Sequence, residues 1–174
     1  MSFVPDRTAQ AGSRRARLRW WAPRVALAAV AAFALIQLVP YGRAHANPPV
    51  RSQPRWDNPR TKALFAQACG ACHSNLTTWP WYSNVAPVSW LVQHDVYDGR
   101  ARFNVSEWRQ QTQPEAGEAA EVVRAGEMPP LQFRVVHGEA RLSSSEKAAL
   151  AAGLARTFAN SPPLRAAEHD GDEG

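Results

Sequence analysis

Cys69-Gly70-Ala71-Cys72-His73 sets two thiols three positions apart, with an imidazole directly after the second. These are the only two cysteines in a chain of 174 residues. Four chemistries use such a pair. A redox dithiol of the thioredoxin kind sits in a βαβ context, and no such pattern precedes residue 69. A structural zinc ion needs two more thiolates or imidazoles; without a second cysteine pair, only His73, His94 and His137 are at hand in the body of the chain. A disulfide across two residues removes little unfolded-state entropy, so it would stabilise weakly. The fourth chemistry is covalent c-type haem attachment, whose signature is C-x-x-C-H. On a helical turn both thiols can reach the vinyl groups on one porphyrin edge, and His73 then lies under the iron as proximal ligand. The expectation is therefore one covalent haem c held by Cys69, Cys72 and His73.

A sixth iron ligand would come from methionine or histidine. Met1 lies in the N-terminal segment, which leaves Met128, in Gly126-Glu127-Met128-Pro129-Pro130. The two prolines hold its backbone extended, and a thioether on a stiff loop is how a Met/His cytochrome c keeps a soft ligand on iron. The plainer fate of Met128 is to fill a gap in the core. His94, on one helix edge with Trp90 and Tyr97, is the rival ligand, while His137 reads as a surface residue. Trp79, Trp81 and Tyr82 surround Pro80 and carry N–H and O–H groups suited to haem propionates; simple core packing is the competing role. No Ser-His-Asp set, phosphate loop or credible catalytic carboxylate pair accompanies them.

These residues need elements to carry them. Asn58-Pro59 has the form of a helix start, with Asn58 as cap, and the helix delivers Cys69 at its end. A second helix is expected from about Pro87, with Val88, Leu91, Val92 and Val96 as its apolar stripe and a stop at Gly99. Thr112 to Glu115 has capping-box spacing and opens a helix that ends at Gly126. Ser143 to Glu146 repeats that spacing ahead of Leu150, Leu154 and Phe158, and Pro162-Pro163 closes the element. The alternation over Leu131 to Val135 is too short to promise a sheet. The result is an all-α domain of four or five short helices. About 100 residues built this way bury little apolar surface, so a cofactor at the centre would make up the core.

Charge and hydropathy place that domain. The formal net charge is +5, but residues 1–43 hold seven arginines against one acid, whereas residues 44–174 hold thirteen Lys/Arg against fourteen Asp/Glu. A nearly neutral body carries no electrostatic footprint for nucleic acid. Val25–Val39 contains one polar residue, Gln37, and with Trp20 to Pro23 ahead of it makes a single membrane span. The arginines hold its N-terminal end in the cytoplasm and send the rest outward. A signal peptide cleaved near Ala46, after Ala44-His45, is the alternative. The expected layout is a cytoplasmic basic tail over 1–19, an anchor over 20–41, an extended linker over 42–56, the haem domain over 57–160 and a disordered acidic tail over 161–174.

Several strings together carry a resemblance: NPPV (47–50), CGACHSN (69–75), TWPWYSNVAPVSWLVQHDV (78–96), GRARFNVSEW (99–108), GEMPP (126–130) and HGEARLS (137–143). The chain resembles the bacterial haem-binding domain family, exported or membrane-anchored single-haem c-type proteins. The resemblance implies a cytochrome-c-like α fold with its first and last helices packed together. It also implies thioether bonds at Cys69 and Cys72, His73 as proximal ligand and Met128 in the distal loop. The function expected is single-electron transfer in the periplasm, from an inner-membrane anchor, with redox proteins at the membrane as partners and no small-molecule substrate. A haem sensor or accessory subunit, or a peroxidase-like enzyme, is the alternative.

Overall fold

The structure is a computed structural model and describes residues 7–164, with side chains from residue 19 onward. Residues 1–6 of the expected basic tail and 165–174 of the expected acidic tail, including His169, lie outside it. The described residues form helices joined by loops and short 3₁₀ turns, with no strand beyond one isolated bridge between Ser52 and Glu107. The all-α expectation holds.

Helix α1 (Arg7–Ile36) contains Arg19–Ile36, a stretch long and apolar enough to cross a membrane, none of it buried against the body. The Arg24 guanidinium lies 3.6 Å from the Trp20 ring centre and donates to the Trp20 carbonyl at 2.9 Å.

Helix α2 (Pro59–Ala68) begins as expected: the Asn58 side chain accepts from the Thr61 amide, and Pro59 occupies the first turn, where no N–H is needed. One further turn, α3 (Gly70–His73), follows directly. The last helix, α7 (Ser144–Asn160), opens on a complete capping box between Ser143 and Glu146. Its stripe of Leu150, Leu154 and Phe158 is buried against Leu64 and Phe65 of α2 and against Trp108. Each such side chain contributes about 1.5–3 kcal/mol relative to exposure. The two helices cross closely because Gly153 faces Thr61 without a side chain between them. The first and last helices of the body, α2 and α7, are thus packed together.

Two local expectations are corrected, and the short stretch that promised no sheet takes a defined form. Helix α4 (Val88–Arg102) runs through Gly99 instead of stopping there, and of its expected apolar stripe only Val96 is buried. Val88 and Leu91 are 42% and 49% exposed. The capping box at Thr112 does not form. The Glu115 carboxylate takes both its bonds from Arg102 instead, and α5 (Ala119–Ala125) starts later, after a 3₁₀ turn at Ala116–Glu118. Its predicted end at Gly126 is correct, with φ 78 in the left-handed region that glycine adopts freely. Leu131 to Val135 is helical, α6 (Leu131–Val136), because Pro130 starts a turn in which the Arg134 amide reaches the Pro130 carbonyl.

The segment between α1 and α2 is extended and bonded to the body along its length. Arg100 donates to the Ala46 carbonyl and the Asn47 side chain, and Asn47 donates to the Thr77 carbonyl. Further on, the Arg51 and Ser52 amides share the Ser106 carbonyl. At the other end of the body, residues 161–164 stay packed: the Trp108 indole donates to the Ser161 carbonyl, and the Gln113 amide to that of Leu164.

Candidate functional site

Cys69 ends α2 with its amide on the Phe65 carbonyl, and its own carbonyl receives the amides of Cys72 and His73. This tight turn puts both thiols and the imidazole on one side of the α2–α3 junction. They line a cavity of about 320 Å³, the lower end of the range for ligand clefts. Gly99 lets α4 close one wall. A side chain there would meet the Cys72 Cβ and carbonyl oxygen at 2.8 Å, so the interior glycine is a contact point, not a helix stop. Opposite lie Val122 and Val123 of α5 and the Met128-Pro129-Pro130 loop, with Leu154 of α7 beneath.

His73 is the most constrained of these groups. It is 8% exposed and stacks on Phe103 at 4.0 Å between ring centres. Its Nδ1–H donates to the Phe103 carbonyl at 3.1 Å, which leaves Nε2 as the unprotonated nitrogen. Burial lowers its pKa and keeps the ring neutral, the form that ligates metals. Holding one ring nitrogen on a backbone carbonyl is the usual way a protein orients an imidazole toward an ion.

The Phe103 carbonyl is itself held by a buried polar network. The Val105 amide donates to the His73 carbonyl, the Asn104 side chain donates to that of Asn75, and the Asn75 amide donates to Ser106 Oγ. Gln113, 1% exposed, accepts from the Asn104 amide and donates to the Glu107 and Gln111 carbonyls. On the other side Arg100 holds the Ser74 carbonyl. Nothing in the sequence marks Phe103, Asn104 or Gln113 as support for the site, since their part is played through backbone groups and burial.

Both thiols are free. Burial and the neighbouring Cys72 push Cys69 up to about 12; burial and Asp95 push Cys72 up to about 11. At neutral pH they are thiols, unlike the thiolates of redox dithiols. Among the described residues no group of three or more His, Cys, Asp or Glu side chains could hold a metal ion, so the zinc reading finds no ligand set.

Met128 lines the cavity, packed against the core from its loop. Its rivals stand elsewhere. His94 is exposed, and His137 is engaged by the Tyr82 hydroxyl at 2.8 Å and by Glu139 at 2.8 Å. The aromatic residues are not brought to the cavity either. Trp79 stacks on His45 at 4.7 Å, Tyr82 bonds His137, and Trp81 is 80% exposed. Expected propionate contacts from these three have no counterpart in the lining. The polar lining comes instead from Asp95, Asp98, Glu115, Glu118, Gln132 and Arg102, whose guanidinium is paired with Asp98 and Glu115.

An apolar cavity walled by the CxxCH turn, with a neutral and oriented imidazole, therefore stands at the centre of a helical body. A family model described as a haem-binding domain matches residues 31–156. The chain belongs to the haem-binding domain family. The matched stretch takes in the whole cavity and also the last turns of α1, so the junction between helix and body is part of what the family model describes. Neither the curated proteins nor the solved structures gave a match. The cavity fits the group the family name calls for. Its walls are mostly apolar, and its buried imidazole is held at Nδ1, with Nε2 taking no hydrogen bond from the described residues.

Proposed function

We propose that this haem-binding domain is a single-haem c-type cytochrome that passes electrons one at a time. The observation that carries the reading is that Cys69, Cys72, His73 and Met128, which are the residues such a site needs, line one cavity. Cys69 and Cys72 would hold the haem through thioether bonds, and His73 Nε2 and Met128 Sδ would supply the protein ligands to its iron. Bound there, the iron supplies one-electron oxidation and reduction. The chain's residues do the rest. Phe103 and its carbonyl fix the imidazole, α5 and Leu154 exclude water, and the proline-bounded loop presents the thioether. A soft sulfur ligand raises the potential of the iron it binds.

The arginine-rich N-terminal flank and apolar α1 favour a single-pass anchor in a bacterial inner membrane, with the domain on the periplasmic side, where c-type haem is matured. Redox proteins of the same membrane would be its partners. Mass spectrometry of the full chain, made in cells with haem-maturation machinery, should show one haem added covalently and retained after denaturation. An unmodified mass would refute the attachment. Met128→Ala should abolish the weak far-red methionine–iron band and let carbon monoxide bind the reduced protein. Ready carbon monoxide binding by the unaltered protein would instead favour a sensor or peroxidase-like site.

A further inference from the structure

At the point where α1 meets the body, the Gln37 side chain donates to the Ala86 carbonyl at 2.9 Å and accepts from the Ala86 amide at 3.0 Å. Gly42, with φ 83, packs directly on the Ser89 carbonyl. The surface around Ala86 is thereby held at the end of a helix that is apolar and free of the body. That surface has an unusual composition. Residues 74–93 hold no Asp, Glu, Lys, Arg or His, in a chain that is 20% charged. Several of its apolar side chains face outward: Trp81 is 80% exposed and Leu76 63%, with Val88 and Leu91 at 42% and 49%, and Leu38 just past the end of α1 is 78% exposed. A solvent-facing surface normally carries charge, and an exposed tryptophan is costly in water but favoured at a headgroup boundary.

We infer that the edge formed by Trp81, Val88 and Leu91 seats in the lipid headgroup layer beside α1, so that the haem-binding domain lies on the membrane instead of swinging from a tether. The inference rests on the anchoring reading above. The occupant is the bilayer because the edge continues from the apolar helix to which Gln37 fastens it. The bonded segment from Gln37 to Asn47 leaves the body no slack to move away.

The test uses the full-length holoprotein in phosphatidylcholine/phosphatidylglycerol nanodiscs. Two photoactivatable lipids, one labelling at headgroup depth and one at acyl depth, are followed by peptide mapping. The headgroup probe should label residues 79–91 well above 144–160, and the acyl probe should label α1 alone. Leu91→Glu should lower headgroup labelling of 79–91 by about fivefold, with α1 labelling and the haem spectrum unchanged. If α1 is labelled while 79–91 is labelled no more than 144–160, the inference fails and the anchor stands. If α1 is not labelled at acyl depth, both fail.

Discussion

His73 shows how much of a site can rest on one neighbour. Its reactivity needs the Nδ1 proton parked on the Phe103 carbonyl, and that carbonyl needs the Asn75–Asn104–Gln113 network behind it. Asn104→Ala should strand the side-chain oxygen of Asn75 and the Ser106 amide in a buried place, at a cost of about 1–3 kcal/mol. Thermal unfolding measures that loss. A drop in reduction potential alongside it would show that the network also orients the imidazole. The cysteines, His73 and Met128 stood out in the sequence as candidates because their chemistry lies in residue type and spacing, and the fold brings them to one cavity. Phe103 was not, because a carbonyl is common to every residue and only the fold aims it. Trp79, Trp81 and Tyr82 drew attention for their polar tips, yet the tips found other partners or none, which side-chain chemistry alone does not foretell.

Two glycines set the elements against each other. Gly153→Ala adds a methyl where α7 already touches the short, stiff side chain of Thr61, so the helices must part. The gain in helix propensity, at most about 1 kcal/mol, is outweighed by overpacking of roughly 1–3 kcal/mol, and the melting temperature should fall. Gly99→Ala should press α4 into the Cys72 backbone and, on the proposed thioether attachment, reduce the yield of bound haem, read as haem-to-protein ratio. A normal ratio would show that α4 shifts freely. Ser143→Ala, which removes a complete capping box far from the cavity, should cost about 1 kcal/mol and leave the haem spectrum alone. Caps and the Leu150–Phe158 stripe were readable because they are local. The stripe on α4 misled, since periodicity marks an apolar face without saying what covers it. Gly99 misled for a similar reason: a glycine inside a helix can serve a close contact that sequence spacing does not show.

At the scale of the whole molecule, the start of α2 is joined to the end of α7 at Asp57, whose amide donates to Thr157 and whose carboxylate takes Arg156 at 2.8 Å. Burial pushes the Asp57 carboxyl up, but the Thr61 hydroxyl and the Arg156 guanidinium outweigh it and hold its pKa below the ordinary value. The unfolded chain therefore binds the proton more readily. The stability from this contact is present above about pH 4 and is lost as pH falls through the native value. With Arg156 exposed, it amounts to under about 1 kcal/mol, and Asp57→Asn should flatten the acid limb of a stability–pH curve by that amount. By itself the sequence determined the helical class, the likeness to a haem-binding family and an N-terminal helix apolar enough for a membrane, and it singled out the CxxCH turn and Met128 as candidates, because each depends on residue types at fixed spacing. Only the tertiary structure decided that Met128 reaches the same cavity as His73, that a buried network holds the imidazole, and that Trp79 and Tyr82 pair with His45 and His137 instead of lining the cavity. Those outcomes depend on which distant backbone groups packing brings together, and pairings of that kind leave no trace in local sequence.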